Sequence, residues 1–326
     1  MTYSEISGRM SDALGEVSSL IDKALSSGIP LLDEADRSIL SRPGKMVRPL
    51  MALLAARCCC GLCSEDAIRV AAASELMHNA TLLHDDVVDG GTVRRGAPTV
   101  MSLLSGKASV LLGDYWLVKA IGLILDLSRY SERVVRIFSA TLQELAEGEL
   151  LQMQMASSGN MDEKAYYRII HCKTASLFHA AVSSAAIVSG ASEEVTDALG
   201  KYALYLGYAF QIKDDLLDFA SRQQTGKPMG QDIAEGKVTL PLLGAFRKVS
   251  PEEQTRVRTM LSGAYKDTQL KDSVIDFVHA NGGDIYAEEH IHANITRAVE
   301  AISILPESED RQALADIAAF MEGRKR

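Results

Sequence analysis

The chain has 326 residues, 47% of them hydrophobic and only 6% aromatic, with a formal net charge of −9. That apolar fraction supports a sizeable core in one large domain, and the acidic balance excludes bulk electrostatic attraction to nucleic acid. Abundant Ala, Leu and Met favour helices, because these side chains lose little freedom in a helix.

The first residues, Met1-Thr-Tyr-Ser-Glu, show no basic region leading into an apolar one, and no membrane-spanning apolar run is evident, so the chain reads as cytoplasmic and soluble. Residues 1–40 read as amphipathic helices, with Ile6, Met10, Leu14, Val17 and Ile21 at helical spacing. A break follows at Ser41-Arg-Pro-Gly44, and a helix starts near Pro49, a residue suited to a first helical turn. Cys58, Cys59, Cys60 and Cys63 cluster at its end, with Cys172 far away. The Cys60-x-x-Cys63 pair has no second Cys or His pair at finger spacing, so these residues read as small apolar groups of a reducing compartment. The pattern predicts further helices over 66–89, 108–126, 131–155, 162–188, 194–220, 236–247 and the C-terminal third. No alternating strand pattern occurs, and 221–235 is the only long irregular segment. The expected architecture is all-α, with residues 1–326 forming one domain.

Two acidic clusters break the local rules. Asp85, Asp86 and Asp89 form one Asp-Asp-x-x-Asp pattern, and Asp214, Asp215 and Asp218 form another. On a helix these three positions share one sector of the surface, so like charges repel. Each cluster sits near the carboxyl end of its predicted helix, where the macrodipole disfavours anions. Each is also embedded in apolar sequence, which argues against a freely solvated acidic face. A local rule broken twice without visible compensation points to a functional site. Divalent cations are the natural compensation, and magnesium suits sparse carboxylates completed by water and substrate phosphate.

Cations placed for phosphate accompany the acids. Lys45 and Arg48 stand at a helix entrance, where backbone N–H groups attract anions. His78 lies two turns before Asp85 on nearly the same face. Arg94 and Arg95 follow the first cluster, Lys173 and Thr174 lie inside an apolar helical stretch, and Lys227 and Lys237 flank the glycine-rich segment after the second cluster. Taken singly, the arginines read as surface charge, His78 as a core histidine, and Lys173 as a side chain snorkelling to water. No Gly-x-x-x-x-Gly-Lys-Ser/Thr loop and no Gly-x-Ser-x-Gly elbow is present, so neither a P-loop nor a serine hydrolase is supported.

The segment from Leu82 to Thr99, carrying the first aspartate cluster and its trailing arginines, resembles the first aspartate-rich motif of the trans-isoprenyl diphosphate synthases, the polyprenyl synthetase family. Phe210 to Phe219 resembles the second motif, and Gly226 to Pro241 the stretch that follows it. The resemblance runs from Gly44 to about Pro241 and more weakly over both ends. It implies antiparallel helices bundled around a deep central cavity, as in the isoprenoid synthase fold, usually in a homodimer. It implies three magnesium ions, two on Asp85 and Asp89 and one on Asp214, with Asp86, Asp215 and Asp218 in support. By the same resemblance the allylic diphosphate meets Arg94, Lys173, Lys227 and Lys237, while isopentenyl diphosphate binds Lys45, Arg48, His78 and Arg95. Gln152 falls near the metals, and Thr174 and Gln211 face the allylic carbon.

The implied reaction joins an allylic diphosphate, farnesyl diphosphate in this reading, to successive isopentenyl diphosphates. In the family, bulky aromatics one turn before the first motif stop growth early. Here Ala80 and Thr81 are small, and Phe138 is the candidate floor deeper down. Long products of roughly C35 to C50 are expected, octaprenyl first among them, to serve as quinone side chains; the helical rise gives only the order of depth. Such a product can associate with membranes. A short-chain farnesyl or geranylgeranyl synthase and a non-catalytic subunit of a heteromeric synthase are the alternatives, and the latter should have lost aspartates or lysines that this chain retains.

Overall fold

The computed structural model describes residues 1–41, 44–94, 96–219, 230–264 and 267–323. Its contacts group into two compact units. The first comprises Met1–Ser139, Ala180–Gly200 and Leu305–Leu314, and the second Ala140–His179, Lys201–Ile304 and Ala315–Arg326.

The first unit begins with α1 (Tyr3–Arg9), opened by a Thr2–Glu5 capping box. Helices α2 (Ser11–Leu25) and α3 (Pro30–Leu40) follow. Helix α4 (Val47–Cys60) starts two residues before Pro49, behind Met46 in the left-handed region at φ 49. Its residues Pro49 through Ala56 are buried without a break, as in a helix apolar on all sides. Helix α5 (Glu65–Val88) is capped by Ser64 and rich in buried alanines. Helices α6 (Val100–Leu103) and α7 (Gly106–Leu125) come next. The Ser109 hydroxyl on α7 donates to the Leu83 carbonyl of α5 at 2.8 Å.

By length and composition α7 is apolar enough to cross a membrane, which corrects the expectation that no such run exists. Part of that apolarity serves the core, where Trp116 and Ala120 are fully buried. Between α5 and α6 the chain forms one small antiparallel pair, β1 (Val93–Arg94) with β2 (Ala97–Pro98), too short to leave an alternating pattern. Helices α8 (Ser131–Ser158), α10 (Ser176–Val188) and α11 (Glu193–Asp218), and the C-terminal helix Glu309–Gly323, contribute residues to both units.

In the second unit the expected helix 162–188 is divided. Helix α9 (Glu163–Ile170) runs into a π turn, His171–Ala175, before α10 resumes. Residues 221–229 of the expected irregular segment lie outside the described residues, and Gln231–Ala234 form a short helix. Behind it Phe219, Ile233, Leu242, Phe246, Val257, Val274 and Val278 make one apolar cluster.

Asp36 of α3 is an exception in the first unit. It is 4% exposed, accepts a 2.7 Å hydrogen bond from the Trp116 indole, and leaves Oδ2 without a partner among the described residues. Burial raises its carboxyl from 3.8 to about 6. A carboxyl that keeps its proton longer when folded loses stability as pH rises from 3.8 to about 6, and the penalty is complete above that window. Asp36→Asn keeps the acceptor for Trp116 and removes the charge. It is expected to raise stability at pH 8 by on the order of 1–3 kcal/mol and to flatten the acid-side dependence in denaturant titrations. Equal stability of the two proteins at pH 8 would contradict this account.

Candidate active site

The first acidic cluster closes α5. Asp85 is half-buried, Asp86 is 5% exposed, and Asp89 is the exposed C-cap. The helix places Asp86 inward and turns its neighbours outward. Asp86 Oδ1 accepts from Arg94 Nε at 2.8 Å, because the β1–β2 turn brings Arg94 back over the helix end. Both line a cavity of about 90 Å³ with Asn79, Leu82 and Leu83. In the same unit Lys45 is exposed and Arg48 half-buried at the start of α4, and the Tyr3 hydroxyl donates to the Lys45 carbonyl. His78 is half-buried, and its carbonyl accepts from the Thr81 hydroxyl at 2.8 Å. Ala80 and Phe138 are fully buried. Arg95 lies outside the described residues.

The second cluster closes α11 in the other unit with the same exposure pattern: Asp214 half-buried and Asp215 5% exposed. Asp215 Oδ2 accepts from the Tyr166 hydroxyl at 2.6 Å and Oδ1 from Gln211 Nε2 at 2.9 Å. The Thr174 hydroxyl donates to Gln211 Oε1 at 2.6 Å. Asp218 is engaged differently. Its two carboxylate oxygens accept from the backbone N–H groups of Gln231 and Asp232, each at 3.0 Å. It therefore serves the amino end of the Gln231–Ala234 helix, where an anion is favoured.

The π turn explains how Lys173 and Thr174 reach this place. Widening the helix by one residue rotates both side chains relative to a regular α-helix. Close backbone contact accompanies the bulge. A Cβ on Gly148 would lie 2.6 Å from Cys172 Cβ, and one on Gly207 would lie 2.6 Å from Ala175 Cα. Lys173 Nζ contacts Gln152 Oε1 at 3.2 Å and forms an ion pair with Glu149. Lys237 pairs with Glu235 at 2.5 Å and with Asp232 at 3.7 Å. Gln152, Lys173, Gln211, Asp215, Asp232 and Lys237 line one cavity of about 140 Å³. Lys227 lies outside the described residues.

The acids of this cavity are pushed upward together. Burial is the main cause for Asp215, with the Asp232 charge adding to it. Burial also leads for Asp232, followed by Asp218, and for Asp218 itself despite its two backbone donors. So crowded a set of carboxyls is relieved by a cation. Among the described residues no three His, Cys, Asp or Glu side chains converge as a ready metal cage. At each helix end, taken by itself, the donors are hard oxygens, which suits a cation that keeps water and phosphate in its shell. At the cysteine cluster burial pushes the Cys58 and Cys59 thiols up to about 12 and Cys63 up to about 11, far from the thiolate a metal needs.

Sequence reasoning missed Tyr166, Glu149 and Asp232. Tyr166 sits seven residues before Lys173, two helical turns away, which was its only signal. The other two stand inside segments that the acidic and basic motifs already mark.

Comparison with known proteins decides the family. The polyprenyl synthetase model matches residues 29–278. The chain belongs to the polyprenyl synthetase family. Octaprenyl diphosphate synthase of Escherichia coli is 35% identical over 327 residues, covering 100% of both chains. All-trans-nonaprenyl-diphosphate synthase (geranyl-diphosphate specific) of Rhodobacter capsulatus is 38% identical over 298 residues, 91% of this chain and 90% of that one. The polyprenyl synthase of Caulobacter crescentus, solved with calcium and isoprenyl diphosphate, matches with a TM-score of 0.92 and 31% identity over 100% of this chain and 98% of that one. The all-α isoprenoid synthase fold expected from the sequence is the fold observed.

Proposed function

We propose that this family member is a trans-polyprenyl diphosphate synthase that extends an allylic diphosphate, farnesyl diphosphate by preference, with successive isopentenyl diphosphates to a long chain. The observation that carries the reading is the repeated aspartate triad, each with its middle carboxylate buried on fixed donors and its first carboxylate half-buried. The similarity to octaprenyl and nonaprenyl synthases supports a long product.

In this reading Asp85, Asp89 and Asp214 hold magnesium, three ions in all, whose Lewis acidity serves the diphosphate leaving group. Lys173, Lys237, Arg94 and Lys227 neutralise that diphosphate, and fixed cations at the leaving group lower the barrier to C–O cleavage. The lysines exchange carboxylate partners for phosphate oxygens as substrate arrives. Lys45, Arg48, His78 and Arg95 hold isopentenyl diphosphate. Thr174 and Gln211 offer oxygen lone pairs to the allylic cation. The isopentenyl double bond attacks the allylic carbon, and a proton leaves to regenerate an alkene. No side chain stands out as the base, so the departing diphosphate takes the proton. The enzyme is placed in the cytoplasm and its product in quinone side chains.

Asp85→Ala and Asp214→Ala are expected to lower turnover by several orders of magnitude while circular dichroism stays native. Near-normal turnover in either would remove the metal assignment. Incubation with magnesium, farnesyl diphosphate and excess isopentenyl diphosphate should yield octaprenyl-sized products, and arrest at farnesyl or geranylgeranyl diphosphate would install the short-chain alternative.

The growing tail is proposed to pass Ala80 and Thr81 and to stop at Phe138. The buried Ala80 fills little volume one turn from the first cluster. Ala80→Tyr is expected to shorten the product toward about C15–C20 by filling that depth, and Phe138→Ala to lengthen it. Unchanged products from Ala80→Tyr, sized by chromatography, would refute the route.

The protein is proposed to be a homodimer joined along α7. Leu111, Val118 and Leu125 are spaced by seven, share one face of that helix and are all exposed. An added Cβ at Gly122, one turn from Val118, meets nothing within 4 Å. An apolar stripe of this length beside a small residue suits a second copy of the same helix. Val118→Glu is expected to give monomers in sedimentation velocity where the wild type gives dimers.

A further inference from the structure

Tyr166 is buried at 2% exposure, and its hydroxyl has one described partner, Asp215 Oδ2 at 2.6 Å. The adjacent tyrosine behaves otherwise: Tyr167 meets His290 Nδ1 at 2.5 Å and takes no part in the acidic cavity. Asp215 in turn accepts from Gln211 Nε2, and Gln211 Oε1 accepts from Thr174. The direction of every bond in this row follows from its ends. Both Asp215 oxygens accept, one from the Tyr166 hydroxyl and one from Gln211 Nε2, so the Gln211 amide has its NH2 toward Asp215 and its carbonyl oxygen toward Thr174. The Thr174 proton is thereby spent on Gln211, which leaves the Thr174 oxygen with lone pairs outward.

We infer that Tyr166 is a positioning residue for the reaction: by fixing Asp215 it sets the Gln211 amide so that oxygen, and not NH2, stands beside Thr174. This rests on the reading that Thr174 and Gln211 face the allylic carbon. The polarity is what a cationic intermediate requires, since an amide turned the other way presents a positive N–H edge. Two donors on one carboxylate restrict its rotation. Without the phenol, Asp215 pivots, the amide is released to flip, and a buried acceptor is left unpaired. Tyr166 also ties α9 to α11, eight residues before Thr174, so the same bond keeps the π turn in register with Gln211.

The test is steady-state kinetics on the full-length enzyme with farnesyl and isopentenyl diphosphates. Tyr166→Phe should lower kcat at least tenfold with both KM values within about twofold, because the amide acts on the cation and not on either ground-state diphosphate. Tyr167→Phe should match the wild type. Tyr166→Phe combined with Gln211→Ala should be no slower than Gln211→Ala alone, the signature of one residue acting through the other. Wild-type kcat in Tyr166→Phe, a loss confined to KM, or additive losses in the double variant would overturn the inference. If Gln211→Ala itself turned over normally, the assignment of Gln211 to the allylic carbon would fall, and this inference with it. Should Tyr166→Phe not fold, Asp215→Ala removes both the unpaired buried acceptor and the link to Gln211; equal kcat for Asp215→Ala with and without Tyr166→Phe is then expected, and a further drop overturns the proposal.

Discussion

Each aspartate triad is held at the carboxyl end of a helix by its middle member. That end carries partial negative charge, so three carboxylates there work against both the macrodipole and one another. The structure meets this twice in the same manner, by turning the middle carboxylate inward onto a fixed donor. For Asp86 the donor is the Arg94 guanidinium, and for Asp215 it is a phenol and an amide. Burying one acid on protein donors orients the helix end, which turns the first aspartate of each triad toward the surface of the fold. The small β1–β2 turn attaches to the first anchor and the π turn, through Thr174 and Gln211, to the second, while the Gln231–Ala234 helix is held by Asp218.

The two anchors differ in charge, and the difference matters. Asp86 meets a full positive charge. Asp215 meets only neutral donors, and burial, with the field of Asp232 adding to it, raises its carboxyl. The positive charge in the lining of the second cavity comes from Lys173 and Lys237. Those lysines already pair with Glu149, Glu235 and Asp232. These ion pairs are half-buried, so each lysine is held in the cavity with its charge matched.

Much of the helical plan is visible in the sequence, because apolar residues recur at helical spacing and the two triads mark the ends of α5 and α11 closely. What the sequence leaves hidden is of one kind. The π turn has no sequence period of its own, and His171–Ala175 looks like the middle of an ordinary helix. The strand pair Val93–Arg94 and Ala97–Pro98 is two residues long on each side, below the length at which alternation can be seen. The membrane-like apolarity of α7 escaped notice because Lys107, Asp114 and Lys119 interrupt it. Among site residues the motif acids were legible as a broken rule, whereas Tyr166 breaks no rule: a tyrosine in an amphipathic helix is unremarkable until its hydroxyl is found on a buried carboxylate.

Asp218 shows how one motif position can change duty between two copies of the same pattern. By spacing it is the counterpart of Asp89, and Asp89 is the exposed C-cap of its helix. Asp218 instead receives two backbone N–H groups from the start of the Gln231–Ala234 helix. With one backbone N–H on each oxygen, the Asp218 carboxylate is fixed in orientation against the start of that helix. Its contribution is to fix Asp232, and through it Lys237, whose own N–H donates to the Asp232 carbonyl at 2.8 Å. The third aspartate of the second triad thus holds the following segment against the end of α11.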